Sequence, residues 1–197
     1  VAAEFQRDHG APEGGAAVVV ALGKLGSREM TSTSDLDLMV IYDFDENAPD
    51  STGPRKLHAT QYYTRLTQRL VSALTAPTRA GRLYDVDMRL RPSGRKGPVA
   101  TQLSAFAAYQ ENEAETWERM ALTRARIVAG DAALGERVHE VIDAAVRRSS
   151  EPDPAKDARE MRALIAQEKG DADRWDLKLV RGGLLDVEFI AQCLVLR

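Results

Sequence analysis

Apolar residues form short strand-like runs in the first half of the chain and recur with helical spacing in the second half. Residues 16–22 are a continuous apolar, β-branched run that ends at Gly23, which predicts a buried strand. Alternate residues from Leu36 to Tyr42 are apolar, which predicts a second strand. Residues 82–91 alternate between an apolar face and a charged face and predict a third. These segments together predict one sheet.

Helical periodicity begins after the second strand. Residues 56–76 carry Leu66, Leu70 and Leu74 on one face, which predicts an amphipathic helix packed on the sheet. Residues 1–9 read as the end of another helix. Further helices are predicted at residues 102–113, 114–129, 132–148, 155–168 and 184–196. We therefore predict an α+β protein with a sheet-containing core at 1–100 and a helical region at 101–197, the latter with a linker at 149–154.

Composition narrows the class of protein. The chain has 197 residues, a formal net charge of −3 and no apolar stretch near the roughly 20 residues that span a bilayer, so we expect no membrane insertion. The acidic balance disfavours a protein that tracks nucleic acid. A single cysteine, Cys193, excludes a disulfide framework, fits a reducing cytoplasm and predicts a core residue. Because the chain starts and stops within helical patterns, we expect a piece of a longer protein, truncated at its C-terminus.

Two carboxylates begin the second strand. Asp35 and Asp37 are two residues apart, so their side chains leave the strand on the same face. A divalent cation such as Mg²⁺ relieves the repulsion between neighbouring carboxylates most directly, and it also binds phosphate oxygens. Gly26 and Ser27 form a predicted turn upstream whose N–H groups can hold those phosphates. The alternative is that Asp35 is a turn residue and Asp37 lies on an exposed face.

The third predicted strand supplies more charge of both signs. Asp87 is placed to be a third metal ligand, and Arg89 and Arg91 share its face and are placed to reach phosphate oxygens. The alternative is a salt-bridge ladder at a wet surface, which stabilises a sheet little.

Four ordered blocks carry a family resemblance. Residues 23–38 resemble the motif of the nucleotidyltransferase superfamily that includes DNA polymerase β, in the form found in bacterial glutamine synthetase adenylyltransferases. Residues 86–94, 117–126 and 182–192 are similar to later blocks of the same family, and the resemblance spans about residues 16–195. It implies a polymerase β-like mixed sheet flanked by helices and followed by a helical region.

The resemblance also implies an activity. The family regulates nitrogen metabolism with multifunctional enzymes: one half attaches AMP from ATP to a tyrosine of glutamine synthetase and the other removes it, under control of a PII signalling protein. Residues 91–94, 115–118 and 125–131 look more like the attaching, C-terminal half. Asp35, Asp37 and Asp87 would hold two Mg²⁺ ions as catalytic residues. The residues implied in nucleotide binding are Lys24, Gly26, Ser27, Arg89 and Arg91.

Other functions stay open at this point. The same chain could remove AMP by phosphorolysis, or it could be a non-catalytic module that binds nucleotide or PII. A transferase acting on a small molecule explains the later blocks poorly. Asp186 and Glu188 either close the nucleotide site or only orient the last helix, and the sequence does not separate these roles.

Overall fold

A mixed sheet lies between two groups of helices in the computed structural model, which describes residues 1–79, 81–148 and 153–197. The strands are β1 (Ala16–Ala21), β2 (Leu36–Asp43), β3 (Val86–Asp87), β4 (Ala100–Gln102) and β5 (Arg126–Gly130). The helices are α1 (Ala2–His9), α2 (Gly23–Ser27), α3 (Ala59–Thr75), α4 (Leu103–Asn112), α5 (Thr116–Leu122), α6 (Ala132–Arg147), α7 (Pro154–Lys169) and α8 (Leu184–Val195).

Strand β1 is the centre of the sheet. It is antiparallel to β2 on one side and to β5 on the other, with Val20 opposite Met39 and Ile127. The far edge of β2 is shared by two short parallel partners, β3 at its start and β4 further along. The predicted α+β class, with a mixed sheet flanked by helices, is therefore confirmed.

Alternation along the strands divides the core into two layers. Val18 and Val20 of β1 are fully buried on the side covered by α4 and α6. Val40 and Tyr42 of β2 are buried on the other side, against α1 and α3. Burial of these apolar side chains at roughly 25 cal/mol per Å² is the main favourable contribution to folding. The predicted helix at 56–76 is confirmed as α3.

A third apolar cluster joins α5, α7 and α8. It contains Met120, Ala158, Cys193 and Leu196, all buried. Cys193 is thus a core residue, as predicted. Because α5 directly precedes β5, this cluster ties the C-terminal helices to an element that leads straight into the sheet.

The predicted third strand at 82–91 is wrong in length, because only Val86 and Asp87 pair with β2. Two features explain this. The β2 edge beyond that point is occupied by β4, which pairs with Val40 to Tyr42. The chain also turns away after Met88, whose carbonyl accepts hydrogen bonds from the backbone and side chain of Arg91.

The predicted helix at 114–129 is also wrong, since it consists of α5 followed by β5. Residues from Arg126 onward pair with the edge of β1 that β2 leaves free, so interstrand hydrogen bonds replace the helical ones. The predicted boundary at residue 100 therefore cuts through the sheet. The helices predicted at 102–113, 132–148, 155–168 and 184–196 are confirmed as α4, α6, α7 and α8.

The predicted linker at 149–154 lies largely outside the described residues. Of that segment, Asp153 caps α7 by accepting a hydrogen bond from the Ala155 N–H at 3.2 Å, and Pro154 occupies the first turn. Among the helices that the structure describes, none is both long and apolar enough to cross a membrane.

Two glycines provide a test of β5. Gly130 has φ of +118°, and a Cβ there would lie 2.2 Å from the Ala17 carbonyl oxygen, so we expect Gly130→Ala to destabilise the protein by about 2 kcal/mol or more. Gly135 lies inside α6 with its nearest neighbour at 3.5 Å, and we expect Gly135→Ala to be neutral or stabilising by up to about 1 kcal/mol. Urea unfolding of both variants measures the difference. Stabilisation by Gly130→Ala would contradict the close approach of β5 to β1 at this position.

Candidate active site

The parallel pairing of β2 and β3 places two aspartates side by side. Asp37 is the direct partner of Asp87, and the preceding Leu36 N–H donates to the Asp85 carbonyl at 2.8 Å. Asp35 precedes the strand by one residue and is exposed, whereas the Asp87 side chain is only 15% exposed. The sheet therefore brings the three predicted metal ligands to one end of β2.

Asp37 lies against the backbone at the start of α2. A Cβ on Gly23 would be 2.3 Å from the Asp37 Oδ2 atom, and Gly23 has φ of +49°, so only glycine fits both the contact and the backbone conformation. The Asp37 carbonyl accepts a hydrogen bond from the Leu22 N–H at 2.9 Å. The glycine that ends the first apolar run thus makes room for the carboxylate.

The site carries uncompensated negative charge. Burial, together with the neighbouring carboxylates of Asp87 and Asp35, raises the pKa of Asp37 to about 6. Arg89 and Lys178 act in the opposite direction but do not restore the ordinary value. A carboxyl group with a raised pKa, next to two other carboxylates, is a favourable binding site for a cation.

Arg89 neutralises Asp87 in this structure. Its Nε donates to Asp87 Oδ2 at 2.6 Å, and its backbone N–H donates to Oδ1 at 2.8 Å. These hydrogen bonds lower the pKa of Asp87. Within residues 1–79, 81–148 and 153–197, no three His, Cys, Asp or Glu side chains are grouped as a metal-ligand set. The predicted sharing of metal ions by the three aspartates therefore stays a prediction.

The donor set nevertheless suits a hard divalent cation. Asp35, Asp37 and Asp87 offer only carboxylate oxygens, which Mg²⁺ prefers. The pKa of Asp37 is raised by burial first and by the other two carboxylates second, and a bound cation would oppose both effects. Both carboxylate oxygens of Asp87 accept hydrogen bonds from Arg89, Oδ1 from its backbone N–H and Oδ2 from its Nε, so a bound cation would compete with Arg89 for this carboxylate.

Gly26 and Ser27 belong to the short helix α2 and not to the predicted turn. The Gly26 N–H donates to the Leu22 carbonyl at 2.9 Å, so it is already bonded within the chain. The Ser27 hydroxyl contacts the Gly23 carbonyl at 3.2 Å and the Glu29 carboxylate at 2.7 Å. The loop-like composition concealed a helical turn that starts directly at the end of β1.

Gly26 is also a point of close packing. A Cβ there would lie 1.9 Å from the Arg124 carbonyl oxygen. Arg126 completes this contact, because its Nη2 donates to the Leu25 carbonyl at 2.8 Å and its Nε to the Gly26 carbonyl at 3.1 Å. The glycine therefore lets β5 and its preceding turn approach α2, and Arg126 caps the carbonyl end of that helix.

Arg124 and Arg126 had no role predicted from the sequence. Arg124 Nη2 lies 2.6 Å from Glu188 Oε2, so the same turn also contacts α8. The available signal was the alternation of basic and apolar residues from 124 to 127, which is typical of a strand. The predicted helix at 114–129 obscured it.

The remaining predicted nucleotide-binding residues differ in what their side chains contact. Arg91 donates to the Met88 carbonyl at 2.6 Å and to the Gly97 carbonyl at 3.3 Å, so it closes the loop between β3 and β4. Lys24 is half-buried on α2. Arg89 is largely exposed and borders the carboxylates through Asp87.

Asp186 and Glu188 make contacts that orient α8. Asp186 forms an ion pair with Arg162 of α7 and accepts a hydrogen bond from the Gly182 N–H at 2.6 Å. Glu188 pairs with Arg124. Lys178, which the sequence did not single out, opposes the rise in the pKa of Asp37 through its positive charge.

Comparison with known proteins places these residues in a family context. A sequence model of glutamate-ammonia ligase adenylyltransferase matches residues 2–141. Bifunctional glutamine synthetase adenylyltransferase/adenylyl-removing enzymes are similar over nearly the whole chain. That of Bradyrhizobium diazoefficiens is 55% identical over 197 residues, covering 100% of this chain, and that of Xanthobacter autotrophicus is 56% identical over 196 residues, covering 98%. The chain spans about a fifth of the length of these relatives, 20% in each case.

The pKa of Asp37 predicts how stability depends on pH. The pKa of Asp37 in the folded protein, about 6, lies above its ordinary value of 3.8. Protonated Asp37 therefore contributes stability that is fully present below about pH 4 and is lost as the pH rises through 6. We expect Asp37→Asn to stabilise the metal-free protein by about 1 kcal/mol at pH 8, allowing for solvent screening, with the difference vanishing near pH 4. Urea unfolding in a chelator across this range measures it.

The matched control is Glu140→Gln, which removes an exposed carboxylate on α6 and should change stability by less than about 0.5 kcal/mol. Added Mg²⁺ should raise the unfolding midpoint of the unaltered protein and leave that of Asp37→Asn unchanged. A loss of stability at pH 8 on replacing Asp37 by Asn would contradict the electrostatic description of the site.

Proposed function

Because the chain belongs to the glutamate-ammonia ligase adenylyltransferase family, we propose that its carboxylate site transfers AMP from ATP to a tyrosine of glutamine synthetase. The observation that carries the proposal is the pairing of Asp37 with Asp87, next to Asp35. The relatives of this chain are adenylyltransferases by name. The proposal includes a polymerase β-like fold and the attaching, C-terminal half of the bifunctional relatives, with control by PII through the whole enzyme.

The reaction exchanges one phosphorus–oxygen bond for another. The tyrosine oxygen forms a bond to the α-phosphorus of ATP, and the bond between that phosphorus and the bridging oxygen breaks to release pyrophosphate. The tyrosine proton passes to solvent or to a nearby base. The protein has little covalent chemistry to perform in such a transfer. Positioning of the reactants and electrostatic stabilisation of the transition state therefore supply most of the rate enhancement.

Asp35, Asp37 and Asp87 would hold two Mg²⁺ ions in this proposal. Bound Mg²⁺ would screen the phosphate charge and lower the pKa of the attacking hydroxyl. The protein contributes a group of neighbouring carboxylates, and their interaction is strongest at Asp37, which is half-buried and flanked by the other two. Release of Asp87 from Arg89 would make the guanidinium available to the departing pyrophosphate.

The residues predicted to bind nucleotide fall into two groups, those that would contact phosphate directly and those that would support them. Lys24, Ser27 and Arg89 have polar groups that can turn toward phosphate, and we propose them as direct contacts. Gly26 and Arg91 would act indirectly. Gly26 allows the turn at Arg124 to support α2, and Arg91 fixes the loop that follows Asp87. The division follows from exposure, because Gly26 is buried and Arg91 is bonded to two carbonyl groups inside its loop, whereas the Arg89 side chain is largely exposed and Lys24 and Ser27 are partly exposed.

Removal of AMP is the second candidate, because the relatives are adenylyl-removing enzymes as well as adenylyltransferases. In that reaction phosphate attacks the same phosphorus atom and the tyrosine oxygen leaves. The same carboxylates and the same charge-stabilising groups would serve, so the two activities are separated by which substrate is consumed.

The test is label transfer from α-labelled ATP to unmodified glutamine synthetase, with the intact protein that contains this chain, with and without Mg²⁺. We expect transfer that requires Mg²⁺ and that falls about 100-fold or more in Asp35→Asn and in Asp37→Asn, because each removes a charged ligand. Incubation with adenylylated glutamine synthetase and phosphate, without ATP, tests removal separately.

Glu140→Gln is the matched control, since it makes the same chemical change on an exposed face of α6 and should retain activity. Release of AMP from adenylylated substrate without any label transfer would assign the removing half. Nucleotide binding that is insensitive to both aspartate substitutions, without either reaction, would contradict catalysis and favour a regulatory module.

A further inference from the structure

Arg124 joins the last helix to the motif that begins at Gly23. Its Nη2 atom lies 2.6 Å from Oε2 of Glu188 in α8, and its Nη1 atom lies 3.9 Å from Oε2 of Glu29, two residues after the end of α2. The Arg124 side chain is 17% exposed and that of Glu29 is 66% exposed. The guanidinium group is therefore held on one side by Glu188, and its other side faces a largely exposed carboxylate.

The Ser27 hydroxyl group is bonded to the same carboxylate oxygen of Glu29. It donates to Oε2 at 2.7 Å, and it lies 3.2 Å from the carbonyl oxygen of Gly23. A hydroxyl group has one proton to donate, and phosphate oxygens are acceptors. Ser27 therefore cannot donate a hydrogen bond to a phosphate group while it donates to Glu29.

Glu29 also places a negative charge beside any phosphate group that binds at Ser27. Like charges a few ångströms apart repel, and the repulsion is stronger near a protein surface than in bulk water. The backbone of Glu29 is fixed, because its N–H donates to the Lys24 carbonyl at 2.8 Å. The side chain can turn toward Arg124 instead, where a shortening of the 3.9 Å separation by about 1 Å forms a charge-assisted hydrogen bond.

We propose that Glu29 is a switch on the Ser27 hydroxyl group. It accepts the hydroxyl hydrogen bond when no nucleotide is bound and pairs with Arg124 when phosphate binds, so the hydroxyl group is released to donate to a phosphate oxygen of ATP. Arg124 and Glu188 are positioning residues, because Arg124 acts through Glu29 and Glu188 holds Arg124. The inference rests on the proposed function, since it describes how Ser27 becomes available in the same site.

Binding of ATP with Mg²⁺ to variants of the intact protein tests the switch. We expect Arg124→Met to weaken ATP binding about threefold to tenfold, because the charge of Glu29 is left uncompensated beside the phosphate. Glu29→Gln removes that charge at nearly constant size and should bind ATP at least as tightly as the unaltered protein. The double variant should match Glu29→Gln to within about twofold, because Arg124 then has no charge to neutralise.

Arg137→Met is the matched control. It removes an ion pair of similar length, 2.7 Å to Asp43, at the end of β2 opposite to Asp37, and should leave ATP binding unchanged. If Arg124 only supported the fold, its loss would weaken ATP binding equally with and without the Glu29 charge. That result, or unchanged ATP affinity in Arg124→Met, would overturn the proposal.

Two further variants test the contacts on either side of Glu29 and Arg124. Ser27→Ala removes the released donor and should weaken ATP binding about threefold or more. Glu188→Gln loosens Arg124, so it should weaken ATP binding in the same direction as Arg124→Met and by no more. Unchanged ATP affinity in Ser27→Ala refutes release of the hydroxyl group, and unchanged affinity in Glu188→Gln refutes positioning by α8.

AMP transfer by the unaltered protein separates this inference from the proposed function. An unaltered protein that binds ATP and transfers AMP, with equal losses from Arg124→Met in both backgrounds, refutes the switch alone. An unaltered protein that neither binds ATP nor transfers AMP refutes both.

Discussion

Repulsion between carboxylates that the sheet forces together is the constraint on which this site depends. Backbone pairing of β2 with β3 makes Asp37 and Asp87 neighbours, and Asp35 leaves the chain two residues earlier. Each charge alone would be harmless at a surface, but partial burial makes their combination costly. The positive charges of Arg89, which pairs with Asp87, and of Lys178 offset part of this repulsion, and the pKa of Asp37 still remains raised. A fold that tolerates such a cluster is arranged to receive positive charge.

Close backbone approach is what makes the arrangement possible. Gly23 admits the Asp37 carboxylate and Gly26 admits the Arg124 carbonyl, so the five residues of α2 contact the site on one side and β5 on the other. Arg126 then closes the carbonyl end of α2. The motif that begins at Gly23 thus determines how closely the backbone packs around the site, as well as forming hydrogen bonds. Its glycines are explained by steric contacts with the rest of the chain, before any ligand is considered.

The sequence predicts local features well here and non-local ones poorly. The apolar run of β1 and the alternation in β2 predict two strands, and alternation alone places Asp35 and Asp37 on one face. Alternation also predicted a full strand at 82–91, but β4 takes the rest of that edge, which no local pattern reveals. The apolar spacing around Trp117 and Ile127 imitates a helix, although the chain straightens at Arg126 to pair with β1. The ion pair of Arg124 with Glu188 likewise joins residues distant in sequence, so no local pattern reveals it.

The shared edge of β2 has a mechanical consequence. The chain leaves that strand at Asp87 and returns to it at Ala100, so the intervening loop is anchored at both ends on one strand, with Arg91 bracing its interior. Because the loop is held at both of its ends, any displacement of it has to be accommodated between two fixed points on β2. At the second of these points β4 pairs with Tyr42, whose ring stacks on Tyr63 of α3.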